Sequence, residues 1–317
     1  MCSKALKNIE PNIPFCVSVW NMYSTMKRDD DSLLHGARRT VELPADVRDA
    51  VIAFRADSTP QGCLLLRNLA IGEVPATPPE PTAVTTKSNA SEMLLVAVAS
   101  LLGEPVGYEP EHGGDMVQNL VPVRASSGRQ TSTSSRITLM FHTEAAFHPH
   151  RPKYLLLLCL RGDTNAQTTV ASIHDALPHL SAQMIDTLFQ PRFRCAVDES
   201  YLHGRQNALG APMAVLSGDR SCPAMVFDED LMVGTDVEAE GALRALGNAL
   251  AANHGEVTLA AGDLVILDND VVVHGRSPFE ARYDGTDRWV QRIMVVSDLA
   301  ASASERVGRM ITTVFGD

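Results

Sequence analysis

Residues 137–144 read ITLMFHTE, and residues 262–276 read GDLVILDNDVVVHGR. Both segments are apolar runs of strand length, and in each a histidine stands where the run ends. In the first, His142 and Glu144 are two positions apart, so in a strand their side chains point to the same face. In the second, two apolar runs flank the turn at 268–269, and His274 closes the later run. These segments predict strands that offer two imidazoles and one carboxylate.

The chain around these segments is rich in short β-type runs from about residue 117 onward, separated by glycine, proline and polar residues. Many short strands with turn signals favour a sandwich or barrel over a βαβ sheet. Helical spacing predicts helices at 44–56, 88–102, 181–189 and 237–253. The expected fold class is therefore mainly β with flanking helices (α+β). The predicted strands are 62–68, 117–123, 137–141, 154–160, 168–172, 193–196, 214–216, 225–227, 257–259, 264–267, 271–274 and 290–296.

Three segments between these elements are predicted to be irregular. The stretch up to about residue 32 contains the charge cluster 27–31, which is typical of a solvated arm or a turn. Residues 75–81 include four prolines and are expected to form a loop or linker. Residues 124–135 are rich in serine and threonine, so we expect a loop that crosses the surface or covers a site.

Composition excludes several classes of protein. The 317 residues carry 27 Lys+Arg against 38 Asp+Glu, a net charge of −11, which disfavours binding to nucleic acid or to an anionic membrane. The sequence contains no apolar run near the roughly 20 residues that cross a bilayer, and the N-terminus does not resemble a signal peptide. Six dispersed cysteines without a CxxC pair argue against a disulfide scaffold. We expect a soluble, cytoplasmic enzyme or small-molecule binder; its oligomeric state is left open.

Two histidines and one carboxylate on one face form the facial triad of non-haem iron(II) oxygenases. On octahedral iron, His142, Glu144 and His274 would leave three positions free, two for a 2-oxo acid and one for dioxygen. The same three residues also suit a zinc-type metal hydrolase, or a binding protein without catalytic activity. An arginine beyond the metal would favour the oxygenase.

The segments that follow the two histidines carry a family resemblance. Residues 142–152 read HTEAAFHPHRP, and residues 274–292 read HGRSPFEARYDGTDRWVQR. Over about residues 117–298, the chain resembles the clavaminate synthase-like branch of the 2-oxoglutarate-dependent dioxygenases, which is related to taurine dioxygenase. Within that branch it is most similar to the asparagine and arginine β-hydroxylases of antibiotic biosynthesis.

The resemblance implies a double-stranded β-helix, or jelly roll, in a single dioxygenase domain over residues 1–317. Residues 1–110 would form a helical or irregular N-terminal part. Residues 111–300 would form the jelly-roll core, interrupted by a helical insert at about 237–254.

The resemblance also implies residue roles around the metal. His142, Glu144 and His274 match the iron ligands. Arg288, 14 positions after His274, matches the arginine that holds the far carboxylate of 2-oxoglutarate, a role that suits a permanently charged guanidinium fork. Thr169 matches the threonine that helps to seat this cosubstrate, and Thr168 fits nearly as well.

For the substrate, the resemblance implies that Arg292 holds the α-carboxylate, Gln118 lies near the amino group, and Glu144 also contacts the amino acid. Arg288 and Arg292 are four residues apart in a strand and therefore share a face. Asp228 matches an acidic residue that meets the substrate side chain.

The arginine hydroxylases of the family have two acids at that place, one residue apart, and here the earlier position is Val226. This departure favours a neutral side chain, because an amide or ureido group leaves no unbalanced charge. Lysine remains open, with Asp228 aided by a hydroxyl of Ser132, Ser134 or Ser135.

The implied activity is hydroxylation of an sp³ carbon, at the β or alternatively the γ position, of a free polar L-amino acid. It would require Fe(II), 2-oxoglutarate and O2 and would serve natural-product biosynthesis. The candidate substrates are asparagine, citrulline, arginine, lysine and a carbamoylated amino acid. Desaturation or ring closure within the same family is an alternative. His148 and His150 are expected either in a lid or as ordinary loop residues.

Overall fold

A computed structural model describes residues 7–9, 30–58, 61–83, 89–202 and 204–316, so most of the predicted N-terminal arm lies outside the described residues. Sheet predominates in these ranges, with several helices, which confirms the mainly β class with flanking helices. The elements in chain order are β1 (Lys7–Ile9), α1 (Asp30–Thr40), α2 (Ala45–Ala56), β2 (Cys63–Leu66), α3 (Ala90–Leu102), β3 (Glu104–Tyr108), β4 (Val117–Leu120), β5 (Leu139–His142), β6 (Tyr154–Arg161), β7 (Gln167–Ser172), α4 (Ile173–Ala176), α5 (Ala182–Leu188), β8 (Phe193–Cys195), β9 (Leu216–Asp219), β10 (Cys222–Met225), β11 (Met232–Gly234), α6 (Val237–Ala252), β12 (Gly255–Thr258), β13 (Leu264–Asp268), β14 (Val272–Arg276), β15 (Trp289–Val296), β16 (Arg306–Val307) and β17 (Met310–Ile311).

Two sheets dominate the architecture. The large sheet has the order β1-β2-β13-β6-β15-β3-β17-β16, and β4 also pairs with β15. The small sheet has the order β12-β7-β14-β5. Two further two-stranded ribbons are formed by β9 with β10 and by β8 with β11. The strands that carry His142 and His274, β5 and β14, are therefore neighbours in the small sheet.

The central strands of the large sheet are buried on both faces, which explains why they are continuous apolar runs rather than alternating ones. In β6, Leu155 packs in a cluster that includes Val273 of the small sheet. Leu156, the next residue, packs in a second cluster with Phe54 of α2 and Leu94 of α3. One cluster thus fills the space between the two sheets, and the other joins the large sheet to the N-terminal helices.

The four predicted helices are present, with ends that follow ordinary capping chemistry. Pro44 stands immediately before α2, and Gly103 follows α3. The Ser181 hydroxyl accepts a hydrogen bond from the Met184 amide at the start of α5. The Asp236 carboxylate accepts from two amides at the start of α6, so the insert predicted at about 237–254 is a helix over Val237–Ala252.

The structure differs from the sequence predictions mainly in the first 110 residues. A helix, α1, occupies residues for which none was predicted. This region is also not only helical, because β2 lies inside the large sheet beside β13, and β3 pairs with β15. Gly107 in β3 is required by close packing, since a Cβ there would lie 2.0 Å from the carbonyl oxygen of Gly114. None of the helices described is long and apolar enough to cross a membrane.

Candidate active site

A cavity of about 840 Å³ opens between the two sheets. The small sheet contributes His142 and His274 to its wall, and the large sheet contributes Arg292. Residues 129–133 of the predicted covering loop also line it, as do residues 197–201. One open cavity thus brings together residues of both sheets and of two loops.

His142, Glu144 and His274 come together at the wall of this cavity. His142 is the last residue of β5 and lies directly opposite His274 in the ladder between β5 and β14. Their ring centroids are 4.3 Å apart. Each of the three side chains offers a ligand atom, and these atoms all lie within 4.8 Å of one another. The three residues of the predicted triad thus lie together, at the end of the ladder between β5 and β14.

Asn269, in the turn between β13 and β14, fixes the backbone of Glu144. Its side-chain oxygen accepts a hydrogen bond from the Glu144 amide at 2.8 Å, and its Nδ2 donates to the Glu144 carbonyl at 3.1 Å. Nδ2 also donates to the Pro152 carbonyl at 2.9 Å, and the whole side chain is buried. The next residue, Ala145, has φ +52°, so the chain turns sharply once Glu144 has been placed.

The donor atoms at this site suit a metal ion. The Met140 carbonyl can only accept, so His142 Nδ1, 2.9 Å away, donates to it, and Nε2 is the ring nitrogen that is left for a metal. Burial, with His142 and Arg292 nearby, holds the pKa of His274 well below its ordinary value. Glu144 Oε2 is buried without a hydrogen-bond partner and lies 3.6 Å from His274 Nε2. Two imidazoles and a carboxylate oxygen without a hydrogen-bond partner among the described residues are a donor set that fits ferrous iron.

Arg292 forms a buried network on the substrate side of the triad. Its Nη1 donates to Glu144 Oε1 at 2.9 Å, its Nη2 donates to Glu111 Oε2 at 2.8 Å, and its Nε donates to Gln118 Oε1 at 2.9 Å. Gln118 lies opposite Arg292 in the ladder between β4 and β15, and its Nε2 is buried without a partner. Burial raises the pKa of Glu111 although Arg292 opposes that rise.

Arg288 lies on the same face as Arg292, immediately before β15, and lines the cavity. Its side chain is buried, and burial lowers the pKa of its guanidinium. In the described part of the chain, no hydrogen bond or ion pair joins Arg288 to another residue. A buried guanidinium without a partner is costly, so this position is suited to an anionic ligand.

The two candidate threonines lie on opposite faces of β7. Thr168 is opposite Arg276 of β14, lines the cavity, and has a buried hydroxyl without a partner. Thr169 is opposite Gly275 and does not line the cavity; its Oγ1 lies 2.9 Å from the place where a Gly275 Cβ would stand. The prediction of Thr169 is therefore corrected to Thr168, because adjacent strand residues point to opposite faces.

Asp228 lies beside His142, to which it is joined by an isolated β-bridge. Thr143 secures this contact, because its hydroxyl accepts a hydrogen bond from the Phe227 amide at 3.0 Å. Asp228 Oδ1 accepts from the amides of Asp230 and Leu231 at 3.0 and 2.8 Å. Burial raises the pKa of Asp228, and the carboxylate faces the cavity.

The serines considered with Asp228 occupy different places. Ser132 lines the cavity. Ser134 is buried and accepts a hydrogen bond from Arg276 at 2.8 Å. Ser135 is also buried but does not line the cavity.

Sequence reasoning missed several cavity residues, among them Glu111, His112 and Arg276. Arg276 had a usable signal, since it stands two positions after His274 and so shares its face. Burial, together with the nearby charge of Arg288, lowers the pKa of Arg276 to about 9. Burial lowers the pKa of His112 to about 4. No periodic pattern marks Glu111 or His112, which the loop between β3 and β4 brings to the site.

His148 is a buried loop residue rather than part of a lid. Its ring lies among Tyr108, Phe147, Tyr201 and Phe315, and its Nδ1 accepts a hydrogen bond from the His150 amide at 2.9 Å. Burial lowers the pKa of His148 to about 3.

Comparison with known proteins gives consistent matches over most of the chain. The family model described as "Taurine catabolism dioxygenase TauD, TfdA family" matches residues 36–294. An L-asparagine oxygenase of Streptomyces coelicolor is 38% identical over 289 residues, covering 89% of this chain and 86% of the relative. An enduracididine beta-hydroxylase of Streptomyces hygroscopicus is 34% identical over 302 residues, covering 86% and 88%.

A solved structure also matches. It is an asparagine oxygenase in complex with Fe(II), 2S,3S-3-hydroxyasparagine and succinate, with a TM-score of 0.85 and 36% identity. The match covers 92% of each chain.

Proposed function

Because the chain belongs to the TauD, TfdA family of dioxygenases, we propose that it hydroxylates an sp³ carbon of a free polar L-amino acid, with Fe(II), 2-oxoglutarate and O2. One observation carries this proposal: the ligand atoms of His142, Glu144 and His274 converge within 4.8 Å in the cavity that also holds the unpaired Arg288. A metal hydrolase using the same triad has no need of that arginine.

The related proteins support the cosubstrate and the class of substrate. The similar asparagine oxygenase structure holds Fe(II), a 3-hydroxylated amino acid and succinate. Both relatives named above are named for an oxygenation or β-hydroxylation of an amino acid. We place the reaction at the β carbon, with the γ carbon as the second position, in the biosynthesis of a natural product.

In this proposal His142, Glu144 and His274 hold the iron. Bound iron, with 2-oxoglutarate and O2, supplies the oxidising chemistry that replaces a hydrogen on carbon by a hydroxyl group. The protein contributes position rather than acid–base groups. His142 keeps its Nε2 available because its Nδ1 proton is held by the Met140 carbonyl. Asn269 holds the Glu144 backbone, so the carboxylate is presented at a fixed place.

Arg288 and Thr168 hold the far carboxylate of 2-oxoglutarate in this proposal. The guanidinium brings a charge with which no described residue forms an ion pair, and Thr168 brings a buried hydroxyl without a partner among the described residues. A carboxylate satisfies both at once, since it accepts charge-assisted hydrogen bonds from a guanidinium and an ordinary one from a hydroxyl.

The substrate is held between Arg292 and Asp228. Arg292 binds the α-carboxylate, the carboxylates of Glu111 and Glu144 accept from the α-ammonium, and Gln118 lies near it, since all three residues are held beside the same guanidinium. Asp228 accepts from the end of the substrate side chain. Asparagine, citrulline, arginine, lysine and a carbamoylated amino acid all end in N–H donors, which a carboxylate binds.

We also propose that the two sheets form a double-stranded β-helix within a single dioxygenase domain over residues 1–317. Its core is 111–300; the N-terminal part, 1–110, adds β2 and β3 to the large sheet, and its helices α2 and α3 pack against that sheet on the face away from the small sheet. The apolar cluster between the sheets and the position of β2 inside the large sheet support this arrangement.

The test is a coupled assay on the purified protein with Fe(II), 2-oxoglutarate and O2. Each candidate amino acid is added in turn; succinate is measured, and the product is examined by mass spectrometry for one added oxygen atom. We expect at least one amino acid to raise succinate formation, with the oxygen located by NMR. His142→Ala should reduce succinate formation to background, whereas the same change at the exposed His179 should not. Turnover with zinc alone, or no amino acid that stimulates succinate formation, would contradict the proposal.

A further inference from the structure

Arg276 is the last residue of β14, and its side chain is 4% exposed. Its Nη2 donates to the Ser134 hydroxyl at 2.8 Å, and its guanidinium carbon lies 4.8 Å from the centroid of the Phe279 ring. Nη1 is buried and has no hydrogen-bond partner in the part of the chain that the structure describes. The side chain is therefore held in place by a hydroxyl and an aromatic ring, neither of which neutralises its charge.

Arg276 and Arg288 face the same cavity from opposite sheets, because β14 belongs to the small sheet and Arg288 immediately precedes β15 of the large sheet. Among the residues that the structure describes, no carboxylate forms an ion pair with either guanidinium. Two buried cations without a counter-ion raise the free energy of the empty site. An anion bound between the sheets would lower it.

The position of Arg276 indicates which anion this is. Along β14, His274 is opposite Val170, and Arg276 is opposite Thr168, two positions further on. Arg276 therefore lies on the side of Thr168 and Arg288. The carboxylates around the proposed substrate amino group, Glu111 and Glu144, are bonded to Arg292 instead.

We propose that Arg276 is a second guanidinium for the far carboxylate of 2-oxoglutarate, acting together with Arg288, and that Ser134 holds its side chain in position. This inference rests on the proposed use of 2-oxoglutarate. Ser134, near the end of the loop 124–135, would then act on the cosubstrate through Arg276. Thr131, Ser132 and Thr133 of the same loop line the cavity.

The experiment compares two ligands by calorimetric titration of the Mn(II)-loaded protein: 2-oxoglutarate and 2-oxovalerate, which has the same five carbons but no far carboxylate. For Arg276→Met we expect the Kd of 2-oxoglutarate to rise about 10- to 100-fold, the usual effect of losing a charged hydrogen-bond partner. The Kd of 2-oxovalerate should stay within about twofold. The matched control is Arg282→Met, which removes an exposed arginine and should change neither value.

Arg276→Lys is a second variant in case the methionine variant does not fold. It keeps the charge but loses the planar fork. We therefore expect 2-oxoglutarate to bind about three- to tenfold more weakly and the binding of 2-oxovalerate to stay unchanged. Unchanged binding of 2-oxoglutarate by a folded variant, or an equal loss for both ligands, would overturn the role of Arg276. Failure of the unaltered protein to bind 2-oxoglutarate would instead overturn the proposed function.

Discussion

Arg292 and Arg288 share a face of one strand and differ in what surrounds them. Arg292 is bonded to Glu144, Glu111 and Gln118 before any ligand binds, so its orientation is fixed in advance. Arg288 is buried and forms no hydrogen bond or ion pair with the described residues, so a bound anion would be its direct partner. Arg292 is therefore suited to holding a ligand in a fixed orientation, and Arg288 is suited to binding an anion tightly.

Thr168 and Thr169 are adjacent in β7 and point to opposite faces. Substituting each in turn therefore tests which face of the strand contacts the cosubstrate. Thr168→Val should raise the Kd of 2-oxoglutarate about fivefold, because one hydrogen bond to the ligand is lost at nearly constant volume. Thr169→Val is the matched control and should leave the Kd unchanged, since Thr169 does not line the cavity. Calorimetric titration measures both, and the opposite ranking would show that the register of β7 against β14 is misassigned.

The turn between β13 and β14 connects the large sheet to the small one and also positions the triad. Asn269 in this turn reaches across to the segment that carries Glu144. His274 lies five residues further along the same chain segment. At the scale of the element, one short connection therefore sets the relative place of two of the three proposed ligands.

Asn269→Ala should damage both stability and metal binding. The change leaves the Glu144 amide and two carbonyls buried without their partners, so we expect a loss of about 2–4 kcal/mol in the free energy of unfolding. We also expect metal affinity to fall by about 10- to 100-fold, as for other residues that orient a ligand. Urea unfolding and Mn(II) titration measure these effects.

The control for Asn269 is Asn165→Ala at an exposed position, with an expected change within about 0.5 kcal/mol. Metal affinity unchanged in Asn269→Ala would mean that the Glu144 side chain keeps its place without this clamp.

The elements that sequence predicted well are those with a strong apolar signal. The strands β5, β6, β13, β14 and β15 were predicted at nearly their observed positions; they carry His142, His274 and Arg292, and Glu144 and Arg288 lie within two residues of the ends of β5 and β15. β3 was missed because its sequence, EPVGY, contains proline and glycine, which usually mark loops.

The other misses have equally specific causes. The helix α1 has few apolar residues, although Asp30 and Asp31 in its first turn and Arg38 and Arg39 in its last turn suit the helix dipole. Thr169 was preferred to Thr168 because the sequence alone does not fix the strand register to one residue. Glu111 reaches the cavity from a loop, and no local pattern in the sequence indicates that contact.

The molecule as a whole has a buried aromatic cluster that joins distant parts of the chain. His148, four residues after Glu144, packs there against Tyr108 of β3 and Phe315 near the C-terminus. Because burial lowers its pKa to about 3, the folded protein keeps this ring neutral at a pH where an unfolded chain would protonate it. The cluster therefore couples global stability to pH.

The free energy of unfolding should fall as the pH is lowered from about 6.5 toward 3. In that interval the unfolded chain binds a proton at His148 that the folded protein does not, which contributes a slope of up to about 1.4 kcal/mol per pH unit. His148→Gln should remove this contribution, whereas His179→Gln at an exposed position should retain it. Urea unfolding at pH 5 and pH 7 provides the measurement, and equal slopes in the two variants would contradict this account.

The alternation along β15 limits how this wall of the cavity can evolve. Arg288, Val290 and Arg292 face the cavity, whereas Trp289 and Ile293 pack toward the N-terminal helices. Inserting or deleting a single residue here would exchange the two sets, sending charged groups into the helix-facing layer and an indole into the ligand space. A single-residue insertion or deletion within this strand is therefore tolerated only where a β-bulge absorbs it, whereas a point substitution at a cavity-facing position leaves the alternation intact.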